Sequence, residues 1–156
     1  MKVGLGQDSH GFLKDSDKKK CIIAGLVFDG VPGLDADSDG DVVFHAVCNA
    51  ITSITHVPIL GRVAIQMCKE ENITDSERYL EKALETLQGA TIAHVALAIE
   101  GARPRLQARV DEMRGSVARV LNIAVDSVGL TVTSGDGLTS FGRGEGLQCL
   151  AIITIN

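Results

Sequence analysis

Short β-type runs alternate with longer helical repeats along this chain of 156 residues, and no internal repeat, low-complexity tract or long linker interrupts them. Strands and amphipathic helices in alternation bury their apolar faces by layering, so one domain spanning residues 1–156 is expected, of the α/β (α+β) class. The expected architecture is a ferredoxin-like mixed sheet covered by helices on one face. Residues 2–7, 21–28, 91–99, 127–133 and 147–155 read as strands, and the charged stretch 14–20 as an exposed loop. Helices are expected over 41–54, 76–87 and 106–121, with an irregular middle between the first two. In the first helix Val43, Ala46, Val47, Ala50 and Ile54 recur at core spacing, while His45, Asn49 and Ser53 share another face. In the second, Leu80, Ala83, Leu84 and Leu87 point inward and Gly89 ends the run.

Composition narrows the function classes. Aromatic residues make up 3% of the chain and tryptophan is missing, so the core is aliphatic and little is available to stack unpaired bases. A net charge of -5 disfavours nucleic acid and anionic membranes as partners. The cysteines at 21, 48, 68 and 149 form no CxxC pair, and the start MKVGLGQDSH lacks an apolar leader, so a cytoplasmic location is expected. The run from Cys21 to Phe28 is far short of the roughly 18 apolar residues of a membrane-spanning helix.

Asp8 and His10 stand two apart at the end of the first strand, so both side chains aim to one side. His45 on the first helix would complete one carboxylate and two imidazoles, the donor set of an open zinc site. On spacing alone the plainer assignment weighs more: Asp8 as a turn cap, His10 as a loop residue and His45 as a solvated histidine, because D-x-H pairs are common. His56 and His94 sit alone in apolar settings and read as structural. The stretch Asp35-Ala36-Asp37-Ser38-Asp39-Gly40 imitates the opening of a calcium loop, but its twelfth position is Ala46 rather than glutamate. Ser38 and Asp41 instead read as a capping pair for the following helix, leaving nearby N–H groups free for a phosphate.

Three stretches together carry a resemblance: Gly4-Leu5-Gly6-Gln7-Asp8-Ser9-His10, Ser38-Asp39-Gly40-Asp41-Val42-Val43-Phe44-His45, and Phe141-Gly142-Arg143-Gly144-Glu145-Gly146. The chain resembles the 2-C-methyl-D-erythritol 2,4-cyclodiphosphate synthase family of the non-mevalonate isoprenoid pathway, in element order and length from near residue 1 to residue 156. The combination is far more specific than any one motif and reverses the balance on the metal site. The resemblance implies zinc on Asp8, His10 and His45, and magnesium or manganese on Asp136, which stands for the family's glutamate. It implies that Ser38 contacts phosphate, that Pro104-Arg105-Leu106 lies beside cytosine, and that Gly101, Thr133 and Ser134 complete the nucleotide pocket. Arg143 and Glu145 would face the central cavity of a homotrimer, with each active site between neighbours and room in the cavity for an isoprenoid diphosphate.

The implied reaction is metal-dependent intramolecular phosphoryl transfer. It converts 4-diphosphocytidyl-2-C-methyl-D-erythritol 2-phosphate to the 2,4-cyclodiphosphate and CMP. Departures from the family cluster where the sugar alcohol would sit. Asp37 replaces a histidine, Asn49 an aspartate, and Ile59-Leu60-Gly61 a segment whose carboxylate contacts the polyol. Val63 to Met67 stands in place of a Phe-Pro-x-x-Asp stretch, and the whole of 59–67 reads as an altered loop in which Gly61 keeps a substrate-binding place. A divergent active synthase is the favoured reading. The rivals are a trimeric sensor for cytidine nucleotides or isoprenoid diphosphates, and a purely structural oligomer.

Overall fold

The computed structural model describes residues 1–14 and 19–156, so part of the expected 14–20 loop lies outside the described residues. In chain order the elements are β1 (Lys2–Gly11), β2 (Cys21–Ile23), β3 (Leu26–Phe28), α1 (Val42–Thr55), α2 (Arg62–Glu71) and α3 (Ser76–Glu85). There follow β4 (Ile92–Glu100), α4 (Val110–Leu121), β5 (Val128–Thr133) and β6 (Gly146–Ile155). Four strands form a mixed sheet in the order β1-β6-β4-β5. β6 runs antiparallel to both β1 and β4, while β4 and β5 are parallel and joined through α4. β1 and β4 are therefore parallel with β6 inserted between them, the split β-α-β arrangement of ferredoxin-like sheets. The second crossover joins adjacent strands.

One sheet face is covered and the other is bare. Leu147, Cys149, Ala151, Ile153 and Ile155 of β6 alternate into the core with Val95, Leu97 and Ile99 of β4. On the opposite face Val3, Leu5, Leu150 and Ile152 remain open to solvent, Val3 at 61% and Leu5 at 60%.

α1 lies at the centre of the covered side. Val42, Val43, Ala46, Val47, Ala50 and Ile51 are all fully buried, as befits a helix enclosed on every side. Its polar stripe at spacing four, buried at His45 and open to solvent at Ser53, grips β1. His45 Nδ1 lies 3.0 Å from Asp8, Asn49 Nδ2 donates to the Gln7 carbonyl at 2.9 Å, and Ser53 Oγ accepts the Leu5 N–H at 3.0 Å. This contact is possible because β1 presents glycine toward the helix. A Cβ on Gly6 would sit 2.1 Å from the Ala46 carbonyl oxygen, and one on Gly4 2.2 Å from that of Ala50.

Two elements differ from the sequence reading. The run 21–28 is a hairpin rather than one strand, because Ala24 and Gly25 both take positive φ, 52° and 74°, the geometry of a type I′ turn. The irregular middle contains α2, so most of the supposed 59–67 loop is helical: Ala64 and Met67 turn to the core, while Lys69, Glu70 and Glu71 face solvent. Gly61 precedes this helix at φ 95°.

Replacing Gly6 with alanine should push α1 off β1, because the obstructing atoms are backbone and cannot swing aside. The expected cost is at least about 3 kcal/mol, a drop in Tm of roughly 6–12 °C. A thermal melt checks it, and a Gly6→Ala protein melting with the parent would refute the role of the close approach.

Candidate metal centre

The end of β1, the first turn of α1 and the start of α3 converge on one point. Asp8 Oδ2 lies 3.0 Å from His10 Nε2 and 3.0 Å from His45 Nδ1, and the two imidazole nitrogens are 3.4 Å apart. All three offer a ligand atom within 4.8 Å of one another. His45 is 6% exposed, whereas Asp8 and His10 are half-buried at the mouth. One carboxylate oxygen and two imidazole nitrogens at this separation suit a borderline divalent cation with a position left open.

The electrostatics follow from the cluster. Burial works to raise the Asp8 carboxyl, but hydrogen bonds and charge from His10 and His45 overcome it and hold the group below its usual range. The Asp8 hydrogen bond lifts His10 above the ordinary imidazole value of 6.5 despite opposing desolvation.

The acidic loop before α1 braces the site. Asp41 is the N-cap, and its carboxylate accepts the N–H groups of Val43, Phe44, Ala24 and Gly25 at 2.6–3.2 Å. These first-turn amides are therefore occupied rather than free for a phosphate. Ser38 is no helix cap either: its Oγ accepts the Gly40 N–H at 3.1 Å and stands 3.4 Å from His45 Nε2. Burial and the charge of Asp39 push the Asp41 carboxyl up to about 6, while its amide partners favour the ionised form.

A cavity of about 230 Å³ opens above the three ligand candidates and is also lined by Asp37, Ser38 and Gly61, three of the expected substrate-side residues. Leu60, Ala64 and Ile65 of its wall come from the altered 59–67 stretch, whereas Ala36, Cys68 and Tyr79 were not foreseen. Tyr79 is buried and stacks on His45, ring centroids 6.2 Å apart. Its place beside Leu80 on the inner side of α3 was the available signal. Asn49, standing for an aspartate, serves as the amide clamp to β1 described above.

A second cavity of about 530 Å³ is lined by Gly101, Pro104, Arg105, Leu106, Thr133 and Ser134, all of them nucleotide-pocket candidates. It shares no lining residue with the first, yet both lie at one end of the sheet. His10 pairs with Leu147, and Glu100 with Gln148 and Thr133, at the C-terminal ends of β1, β4 and β5. Asp136 is exposed in the following glycine-rich loop at φ 48°, its carboxylate accepting the Ser134 hydroxyl at 3.1 Å. It lines neither cavity and joins no ligand cluster among the described residues. Arg143 and Glu145 pair with each other at 2.9 Å, and that bond lowers the Glu145 carboxyl. His56 and His94 are exposed, at a helix end and on the bare sheet face, and not in the apolar settings expected. Among the described residues no helix is long and apolar enough to cross a membrane.

The model of the YgbB family matches residues 1–156. The chain belongs to this family. It is 51% identical over 155 residues to the 2-C-methyl-D-erythritol 2,4-cyclodiphosphate synthase of Chlamydia felis, covering 99% of this chain and 88% of the relative. The synthase of the same name from Chlamydia trachomatis serovar L2b is 50% identical over the same length, with 87% of it covered. A solved structure titled as this synthase in its CDP-bound form superposes with a TM-score of 0.87 at 24% identity, over 99% of this chain and all of that one, and so shares the fold.

Metal binding by such a cluster requires ionised Asp8 and neutral imidazoles. The depressed Asp8 carboxyl stays charged through the physiological range, so the raised His10 sets the pH limit from above 6.5. Zinc affinity measured by chelator competition should weaken about tenfold per pH unit on going below the His10 titration and level off above it. An affinity flat from pH 5.5 to 8 would contradict this assignment of ligands.

Proposed function

We infer that this YgbB-family chain is a 2-C-methyl-D-erythritol 2,4-cyclodiphosphate synthase. It closes 4-diphosphocytidyl-2-C-methyl-D-erythritol 2-phosphate on itself: an oxygen of the 2-phosphate attacks the β-phosphorus, the bond to the α-phosphate oxygen breaks, and CMP leaves. The observation that supports this most is the convergence of Asp8, His10 and His45 in a chain half identical to named synthases along its whole length.

Asp8, His10 and His45 would hold zinc, their donor set fitting that ion. Asp136 offers a single carboxylate, so a magnesium or manganese ion there would rely on substrate oxygens for its other ligands. Ions held there would supply charge neutralisation for the diphosphate and the departing CMP. Ser38, whose oxygen accepts the Gly40 N–H, would give its own hydrogen to a phosphate. The cavity at Gly101, Pro104 to Leu106, Thr133 and Ser134 would take the cytidine end. Phosphoryl transfer of this kind needs alignment and charge neutralisation, so no nucleophilic serine or cysteine is required. Asp37 and Gly61 would contact the polyol, with the apolar wall of α2 behind it.

The metal and nucleotide cavities share no residue, and this suits an active site completed between neighbours in a homotrimer. The bare apolar face of Val3, Leu5, Leu150 and Ile152 is the surface such an assembly would bury. Arg143 and Glu145 would then face the central cavity, where an isoprenoid diphosphate is a candidate guest. A cytoplasmic location belongs to the same reading, in keeping with four unpaired thiols.

The purified protein should release CMP from the CDP-linked substrate, lose that activity with a strong chelator and regain it with zinc plus magnesium. His10→Ala should lower turnover at least about a hundredfold. No CMP release by the metal-loaded parent would overturn the assignment. Leu5→Asp places charge on the bare face without touching the core, and in sedimentation it should give monomers that still bind zinc but turn over at least tenfold more slowly. A parent that sediments as a monomer would refute the trimer.

A further inference from the structure

His45 reaches the cluster through Nδ1, and its other ring nitrogen is not idle. Nε2 lies 2.8 Å from the hydroxyl of Ser76, the first residue of α3, which is fully buried. The Ser76 hydroxyl in turn donates to Asp39 Oδ1. Asp39 already acts as an acceptor on both oxygens: Oδ1 takes the Asp41 N–H and Oδ2 the Ser76 N–H, each at 3.0 Å. Its own N–H donates to the Thr74 carbonyl at 2.8 Å, which fastens the loop to the residues leading into α3.

The proton positions follow from counting. A serine hydroxyl has one hydrogen, and here it goes to the Asp39 carboxylate. The Ser76 oxygen therefore meets Nε2 with a lone pair, so Nε2 must carry a hydrogen and donate it. With Nε2 so protonated, Nδ1, the nitrogen that faces Asp8 and His10, presents a lone pair once a cation displaces the hydrogen it shares with the Asp8 carboxylate. Ser38 Oγ, 3.4 Å from Nε2, is too distant to compete with Ser76 on equal terms.

We propose that Ser76 and Asp39 are positioning residues of the metal centre: the chain Asp39–Ser76–His45 locks His45 in the Nε2–H tautomer and orients its Nδ1 lone pair at the cation. Neither touches substrate. A carboxylate reached through a hydroxyl also makes the imidazole a better electron donor, as partners of ligating histidines generally do. The arrangement ties ligand quality to the seating of α3, since Ser76 opens that helix and Tyr79, one turn on, stacks on the same ring.

The proposal rests on the metal role given to His45, and the test separates the two. Nitrogen chemical shifts of ¹⁵N-labelled histidine in the zinc-loaded parent should show His45 protonated at Nε2 with no hydrogen on Nδ1, and a zinc-loaded parent with Nδ1–H overturns the relay without any variant. Chelator competition should show Ser76→Ala binding zinc about 10–100-fold more weakly than the parent. Asp39→Asn should do the same and Ser76→Thr should restore near-parent affinity. Asp75→Ala removes the cap that accepts the Glu77 N–H, and should lower Tm while leaving zinc affinity and tautomer alone. Ser76→Ala binding zinc within twofold of the parent removes the relay and leaves the metal site standing. A parent that binds no zinc removes both.

Discussion

The close approach of α1 to β1 is the constraint on which the site depends. Two backbones can come this near only where one of them lacks side chains, and β1 supplies Gly4 and Gly6 on its covered face. Once in contact, helix and strand are matched residue for residue, with Ser53 on the Leu5 amide, Asn49 on the Gln7 carbonyl and His45 on Asp8. The ligand cluster is the last step of that ladder. A helix set back by one ordinary side chain would leave His45 out of reach of the strand. The stability of the α1–β1 contact and the geometry of the metal centre are therefore one property of the chain.

Much of this was written in the sequence, because it depends on local spacing. The D-x-H pair predicts two side chains on one side of a strand, and the four-residue spacing of His45, Asn49 and Ser53 marks a stripe on a helix. What that stripe faces is tertiary. Polar residues at such spacing more often meet water, and only the glycines of β1 turn it inward. The hairpin at Ala24-Gly25 was hidden because alanine rarely occupies a left-handed turn, and it holds there through two amides donated to Asp41. α2 was hidden for another reason: its inward positions are few and its remaining residues polar, so the apolar period is faint. Ser76 and Asp39 lie 37 residues apart and meet only when α3 docks on α1. Their residue types name no partner.

The substrate side of the cavity shows how a departure in sequence changes the physics of a pocket. Beside the three ligand candidates this chain places the N-terminal part of a helix, with Leu60, Ala64 and Ile65 toward the cavity. A hydroxyl meeting such a wall gains no hydrogen bond from it, so under the proposed function polyol recognition would fall to Asp37, Ser38 and backbone groups near Gly61. Recognition by few polar groups against an apolar wall discriminates mainly by shape.

The field of the site explains why cations come before chemistry. Asp35, Asp37, Asp39 and Asp41 follow one another through the loop that borders Asp8, in a chain whose net charge is already -5. Among the described residues Lys19 lies with them, its ammonium donating to the Leu34 and Ala36 carbonyls at 2.8 Å, with burial lowering its affinity for the proton. One ammonium held on backbone oxygens cannot offset that many carboxylates. Such a loop concentrates divalent cations and repels a bare diphosphate, so by charge alone the cluster of Asp8, His10 and His45 is a cation site first and becomes an anion site only when a cation is in place. Dependence on metal is thus built into the electrostatics of the pocket as well as into the reaction that the family performs.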